Sequence, residues 1–358
     1  MQAFRDRDST SLRIANGSVL AAMMVVAIHV TGRSIDAVQS GTALWWFEAL
    51  GHWGVFLIAV PFFFFCSGYL LAKHVGEDGW YYRECKKRVR SLLVPYLVWS
   101  VFFMLLPEIA YFLSNLLHGK IAFLHMAYGR YFWMNTIGLY PLRYPGMAVM
   151  WYIRALIVFV VVAPIVVWVV KRREIYVLLM GGGLLLASLA FGALAMYSIE
   201  PGLGMRLYKV QHMNGFLCFC AGVYLRVKSP KVAYKKYCAL AFFVGMLIVV
   251  ATAIVNATFE WQLLTVTYVV FSPLLLFSFW RIIPSCSLPS WLTGATFAIY
   301  VMHTFVWRVL QIFHVPLSVE TIPQWVVKWC IGFFVPIGVT MLLRKFLPQF
   351  ACVLFGGR

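Results

Sequence analysis

Charge is scarce in this 358-residue chain: Asp and Glu together number twelve, and charged side chains of either sign make up 12% of it. So thin a polar complement excludes a water-soluble domain of this size, which needs far more charge to cover its surface. No small-residue cleavage site follows the polar opening segment Met1 to Ser11, so the first apolar block reads as a retained helix rather than a removable signal. The eight cysteines follow no ligand spacing, and Cys218 and Cys220 stand too close together for the usual zinc pair. No metal site is expected, and the thiols read as membrane-packing residues. No inverted repeat relates the two halves, which disfavours a secondary transporter.

What is present is apolar. Hydrophobic residues make up 63% of the chain and aromatics 17%, and they arrive in blocks of about 17 to 25, the length a helix needs to cross hydrocarbon. The blocks fall at about 14–32, 53–72, 92–113, 147–170, 175–197, 211–227, 237–255, 260–280, 291–312 and 324–343. The expected fold is therefore all-α: a polytopic membrane protein of about ten transmembrane helices. A single transmembrane domain is expected over residues 1–350, with 1–12 as a short N-terminal segment and 351–358 as a short tail.

Lys and Arg number thirty and give a formal net charge of +18, which in a soluble protein would raise nucleic-acid binding. Here the bases sit in clusters between apolar blocks: Arg5, Arg7 and Arg13; Lys73 to Arg90; Lys171 to Arg173; Arg226 to Lys236; Arg281; and Arg344 with Lys345. All of them fall on one side if ten helices alternate, which is the positive-inside pattern with both termini cytoplasmic. The partner expected from this charge is a lipid bilayer and not nucleic acid. The stretch Ser114 to Gly146 is long for a connection and dense in aromatics, and it reads as an amphipathic or re-entrant segment at the outer interface.

Ionisable groups inside hydrocarbon are costly and point to function. His29, in VLAAMMVVAIHV, and His303, in ATFAIYVMHTFV, each lie about a dozen residues from the expected cytoplasmic entry of their helix, roughly 18 to 20 Å. Arg154, in MWYIRALI, and Glu108 reach a similar level, so four polar groups on four helices are expected in one layer just outward of the midplane. A His there suits general-base work, because its ordinary pKa near 6.5 lets it accept a proton at neutral pH. Asp36 could orient His29 if the first helix continued, although a loop is the plainer reading. The run ECKKRVRS, with Lys87, Arg88 and Arg90, suits a phosphate-rich cosubstrate arriving from the cytoplasm, and orientation in the membrane alone also explains it. A transporter would use the same buried groups as a proton or substrate path.

VVAIH at the end of the first helix, PFFFFCSGYLL, KKRVRSLLVPYLVW, MWYIRAL and GATFAIYVMH together resemble the membrane-bound acyltransferase family 3, in its short form without an added extracytoplasmic domain. The resemblance implies an acyl donor, usually acetyl-CoA, taken from the cytoplasm, and a sugar acceptor such as a cell-surface or lipid-linked glycan. It places the family's first-helix histidine on His29, as base or as transient acyl carrier. His303 and Arg154 would serve orientation and charge stabilisation, and Arg13, Lys87, Arg88 and Arg90 would hold the donor. The family's arginine eleven residues before that histidine is replaced by Ser18, and Ser91 stands where a second base is often found. Ser67 and Gly68 are expected to permit close helix packing, Pro61 to kink the second helix and Pro95 to open the third.

Overall fold

The computed structural model describes residues 2–31, 38–39, 41–117, 148–197, 203–228, 235–256 and 264–357. Asp36 and residues 118–146 of the aromatic connection lie outside them. Every regular element among the described residues is helical. In chain order the α-helices are α1 (Gln2–His29), α2 (Ala43–Leu50), α3 (Ala59–Leu71), α4 (Trp80–Arg88), α5 (Val94–Leu117), α6 (Trp151–Lys171) and α7 (Glu174–Tyr197). They continue with α8 (Leu203–Lys228), α9 (Lys235–Asn256), α10 (Leu264–Ile282), α11 (Ser290–Thr293), α12 (Thr296–Ile312), α13 (Ile322–Phe346) and α14 (Pro348–Phe355).

Within the described residues, each expected apolar block overlaps at least one helix. Six stretches among the described residues are long and apolar enough to cross a membrane: Thr10–His29, Ala43–His74, Trp80–Leu113, Ala148–Lys171, Lys236–Val255 and Ile322–Phe346. Glu174–Ala190 and Val266–Phe279 are shorter apolar helices. The outer faces of these helices are what lipid requires. On α6, Val158, Val161, Ile165 and Trp168 are each more than half exposed and recur at helical spacing, a stripe with no polar interruption that only hydrocarbon would cover favourably.

Two local departures from the expected spans shape the interior. The second span begins earlier than its apolar run, because Ala43–Leu50 is already helical with Thr42 accepting from the Trp45 amide as its cap. A 3-10 turn, Val55–Ile58, then leads into α3. Pro61 therefore sits in the first turn of α3 rather than kinking its middle; there its missing N–H leaves no interior bond broken. The third span begins earlier too, since α4 runs into a π turn at Val89–Leu93 and then into α5. Pro95 explains that wide turn: an α-helical register would drive its ring against the Ser91 carbonyl, and one residue of slack removes the clash.

The interior is tied by close contacts that small residues permit. Gly68 on α3 lies against the Phe219 carbonyl of α8, and Gly222 on α8 lies against the Phe65 carbonyl, so that a methyl group at either position meets backbone. Asn16 on α1 donates to the carbonyls of Pro284 and Cys286, at 2.8 Å each, and so fixes the middle of α1 to the loop after α10. Residues 348–355, largely the expected tail, form α14, with Ala351, Leu354 and Phe355 buried and Trp99 of α5 donating to the Leu354 carbonyl at 3.0 Å. Gly356, at φ +67°, then turns the chain against the backbone of Ser91.

Candidate active site

Two cavities open from opposite ends of the bundle. The larger, of about 1120 Å³, is lined at one end by Lys73, Arg83, Lys86, Lys87, Arg88 and Arg90, and runs between α1, α3, α6, α12 and α14. The π turn contributes Arg90, Ser91 and Leu92 to its wall, so the slack that Pro95 demands also delivers a cation to the cavity. Buried Glu84 draws on two of these charges, at 3.5 Å from Arg88 and 3.8 Å from Lys87. Arg83 is held at 2.7 Å by Glu77, whose carboxyl is kept below its ordinary pKa by the hydrogen bond from His74. Lys73, Lys86 and Arg90 have no ion pair among the described residues, which leaves three cations for an anionic ligand. Farther in, Ser67, Tyr152 and Tyr300 line the same cavity; Ser67 and Tyr152 share a hydrogen bond of 3.2 Å, and the Tyr300 hydroxyl donates to the Val149 carbonyl.

The second cavity, of about 500 Å³, is lined by His29 at the far end of α1, by Thr31 just beyond it, and by Thr304, Trp307, Arg308 and Gln311 from α12. Between the two cavities stands a pair of imidazoles. His29 and His303 have ring centroids 5.2 Å apart, tilted by 30°. His303 is fully buried, one turn beyond Tyr300 of the basic cavity and one residue before Thr304 of the other. Its Nδ1 donates to the Ile299 carbonyl at 3.0 Å, which leaves the Nε2 lone pair buried without a hydrogen-bond partner. On α1, Ser18 lines the basic cavity and His29 the opposite one, eleven residues or about 16 Å along the helix.

A family model described as an acyltransferase domain matches residues 19–345. The chain belongs to this acyltransferase family. No curated protein and no solved structure matches it. The matched range of this membrane acyltransferase includes both histidines and the cationic run, and it leaves out Arg13, Ser18 and α14.

The expected site residues separate into those the fold gathers and those it does not. His29 and His303 meet, and Lys87, Arg88 and Arg90 line one cavity. Arg13 is half-buried on α1 outside that lining, its Nε without a hydrogen-bond partner, and the Ser18 hydroxyl donates back to the Ile14 carbonyl at 2.7 Å. Arg154 and Glu108 line neither cavity, although each has interactions of its own. Gly68 has the packing role expected of it, whereas Ser67 faces the basic cavity.

Sequence reasoning missed a buried acid and base beside His29. Glu48 is 1% exposed, and its Oε2 accepts from His52 Nδ1 at 2.6 Å and from Thr31 at 3.1 Å, while its Oε1 accepts from Trp325 Nε1 at 2.7 Å. His52 stacks on Trp53 with centroids 4.6 Å apart, and lies within electrostatic reach of His29. The available signal was the i, i+4 spacing of Glu48 and His52 in an aromatic stretch. It went unread because the second span was placed from residue 53 onward. Lys73 and Arg83 lie outside the run ECKKRVRS and join its cations in lining the cavity.

Proposed function

We propose that this acyltransferase moves an acetyl or other short acyl group from an acyl-CoA to a hydroxyl of a cell-surface carbohydrate or lipid-linked glycan, across a bacterial cytoplasmic membrane. The observation that carries the reading is the His29–His303 pair standing between a cationic cavity and a second cavity at the opposite end. The donor's phosphates pair with Lys73, Lys86 and Arg90 at the cytoplasmic face, and its thioester reaches inward past Tyr152 and Tyr300.

The acceptor hydroxyl enters from the other cavity toward His29. As base, His29 takes the hydroxyl proton while the oxygen attacks the thioester carbonyl. The carbon–sulfur bond breaks as the tetrahedral intermediate collapses, and the leaving thiolate takes a proton to give free coenzyme A. His303, held by Ile299, keeps the neighbouring ring in place and offers its Nε2 as a second acceptor.

His29→Ala tests the base directly. The variant is expected to purify as a folded protein and to lose transfer of labelled acetyl from acetyl-CoA to glycan by at least about a hundredfold, the usual worth of a positioned base. Retention of most activity removes His29 from the mechanism.

A further inference from the structure

The end of α1 is fixed from outside the helix. Side-chain hydrogen bonds tie this helix and the bend after it to distant parts of the chain: Asn16 donates to the loop after α10, Trp329 Nε1 of α13 donates to the Met23 carbonyl at 3.0 Å, and Thr31 donates to Glu48 of α2 at 3.1 Å. Of these, only the Thr31 bond falls within two residues of His29, where the α-helix has ended and the Val30 amide reaches back to the Ala27 carbonyl at 3.3 Å. Thr31 and His29 line the same cavity, so whatever holds one bears on the other. Glu48 is not free to follow Thr31. Its Oε1 accepts from Trp325 Nε1 at 2.7 Å and its Oε2 from His52 Nδ1 at 2.6 Å. Trp325 packs edge-on against Phe47 with centroids 4.8 Å apart, and His52 lies flat on Trp53. Bonds to an ionised carboxylate are short and strong, the more so where water is shut out. Two of the three partners of Glu48 are thus locked by aromatic packing, and the third, Thr31, is the one that Glu48 locks.

Resting on His29 as the base, we infer that Glu48 is a positioning residue for the transfer: through Thr31 it fixes the bend after α1, and with it the aim of the His29 imidazole at the acceptor hydroxyl. Glu48 itself lines neither cavity. Order runs from Trp325 and His52 to the carboxylate, from the carboxylate to the Thr31 hydroxyl, and from there to the base two residues back. A base acts only within hydrogen-bond reach of its proton, and a misplacement of about 1 Å can cost about a hundredfold. Without the Thr31 bond the bend shifts and His29 with it, while the basic cavity, which Thr31 does not line, is left as it was. Chemistry then suffers and donor binding does not.

The test is Thr31→Val, which keeps the shape of the side chain and removes its hydroxyl, assayed in the full-length protein in detergent with labelled acetyl-CoA and methyl hexosides as acceptors. Its kcat is expected to fall at least about tenfold while KM for acetyl-CoA stays within about twofold, and Thr31→Ser, which restores the hydroxyl, is expected to recover most of the loss. Trp325→Phe loosens the same carboxylate from a residue that lines neither cavity, and is expected to lower kcat about threefold or more, again with KM for acetyl-CoA kept. It decides the matter where Thr31→Val yields no monodisperse protein. Native kcat in either variant overturns the inference, as does a loss carried by KM for acetyl-CoA or one that Thr31→Ser leaves unrepaired. A raised acceptor KM with kcat kept also overturns it, by making Thr31 a contact of the acceptor itself. His29→Ala separates this inference from the reading beneath it: an inactive His29→Ala beside a fully active Thr31→Val ends the positioning role alone, whereas an active His29→Ala ends both. Absence of label on the hexosides with the unaltered protein overturns the glycan reading and this inference with it.

Discussion

Glu48 shows what a single side chain can hold together in this bundle. Its two oxygens satisfy three donors from the bend after α1, the turn after α2 and α13, in a place with almost no access to water. Removing it strands His52, Thr31 and the Trp325 indole, and each buried donor left without its acceptor costs about 1–3 kcal/mol. Glu48→Ala is therefore expected to lower the thermal unfolding midpoint in detergent clearly, with Glu48→Gln between it and the native protein. An unchanged midpoint would mean that these groups find other partners. The same residue marks the limit of sequence reading at this scale. His29 and His303 could be found because each is a lone polar group in an apolar run of spanning length, whereas Glu48 and His52 precede their run and look like loop. Their burial comes from Trp325, some 277 residues away in sequence, and no local pattern contains that contact.

At the scale of elements, α3 and α8 form the closest-fitting pair, because Gly68 and Gly222 each meet a backbone carbonyl of the other helix. Gly222→Ala has no flexible side chain to displace, so the helices must move apart; folded, monodisperse protein is expected to drop severely, against near-normal yield for Gly338→Ala, whose added methyl meets open space. The helix α14 makes a different prediction. Val353, Gly356 and Gly357 wall the basic cavity, and Leu354 accepts from Trp99, so a chain ending at Leu347 is expected to bind acyl-CoA at least tenfold more weakly, read as a raised KM with a smaller change in kcat. An unaltered KM would place donor binding elsewhere. Helix positions were legible from apolar block length, since hydrocarbon thickness sets it. The π turn and α14 were not, because one answers to a clash between Pro95 and Ser91 and the other to a groove that exists only after folding.

The whole molecule puts charge at one end, a smaller polar cavity at the other and two imidazoles between. That arrangement would let donor and acceptor stay on separate sides of a membrane while only the acyl group passes. Proteoliposomes holding the protein in one orientation test this most directly, with acetyl-labelled CoA added on the side of Lys73 to Arg90 and glycan acceptor confined to the other side. Labelled glycan is expected on the far side, none with His29→Ala, and none when donor and acceptor are exchanged between compartments. Label that appears only when donor and acceptor share one side would contradict it.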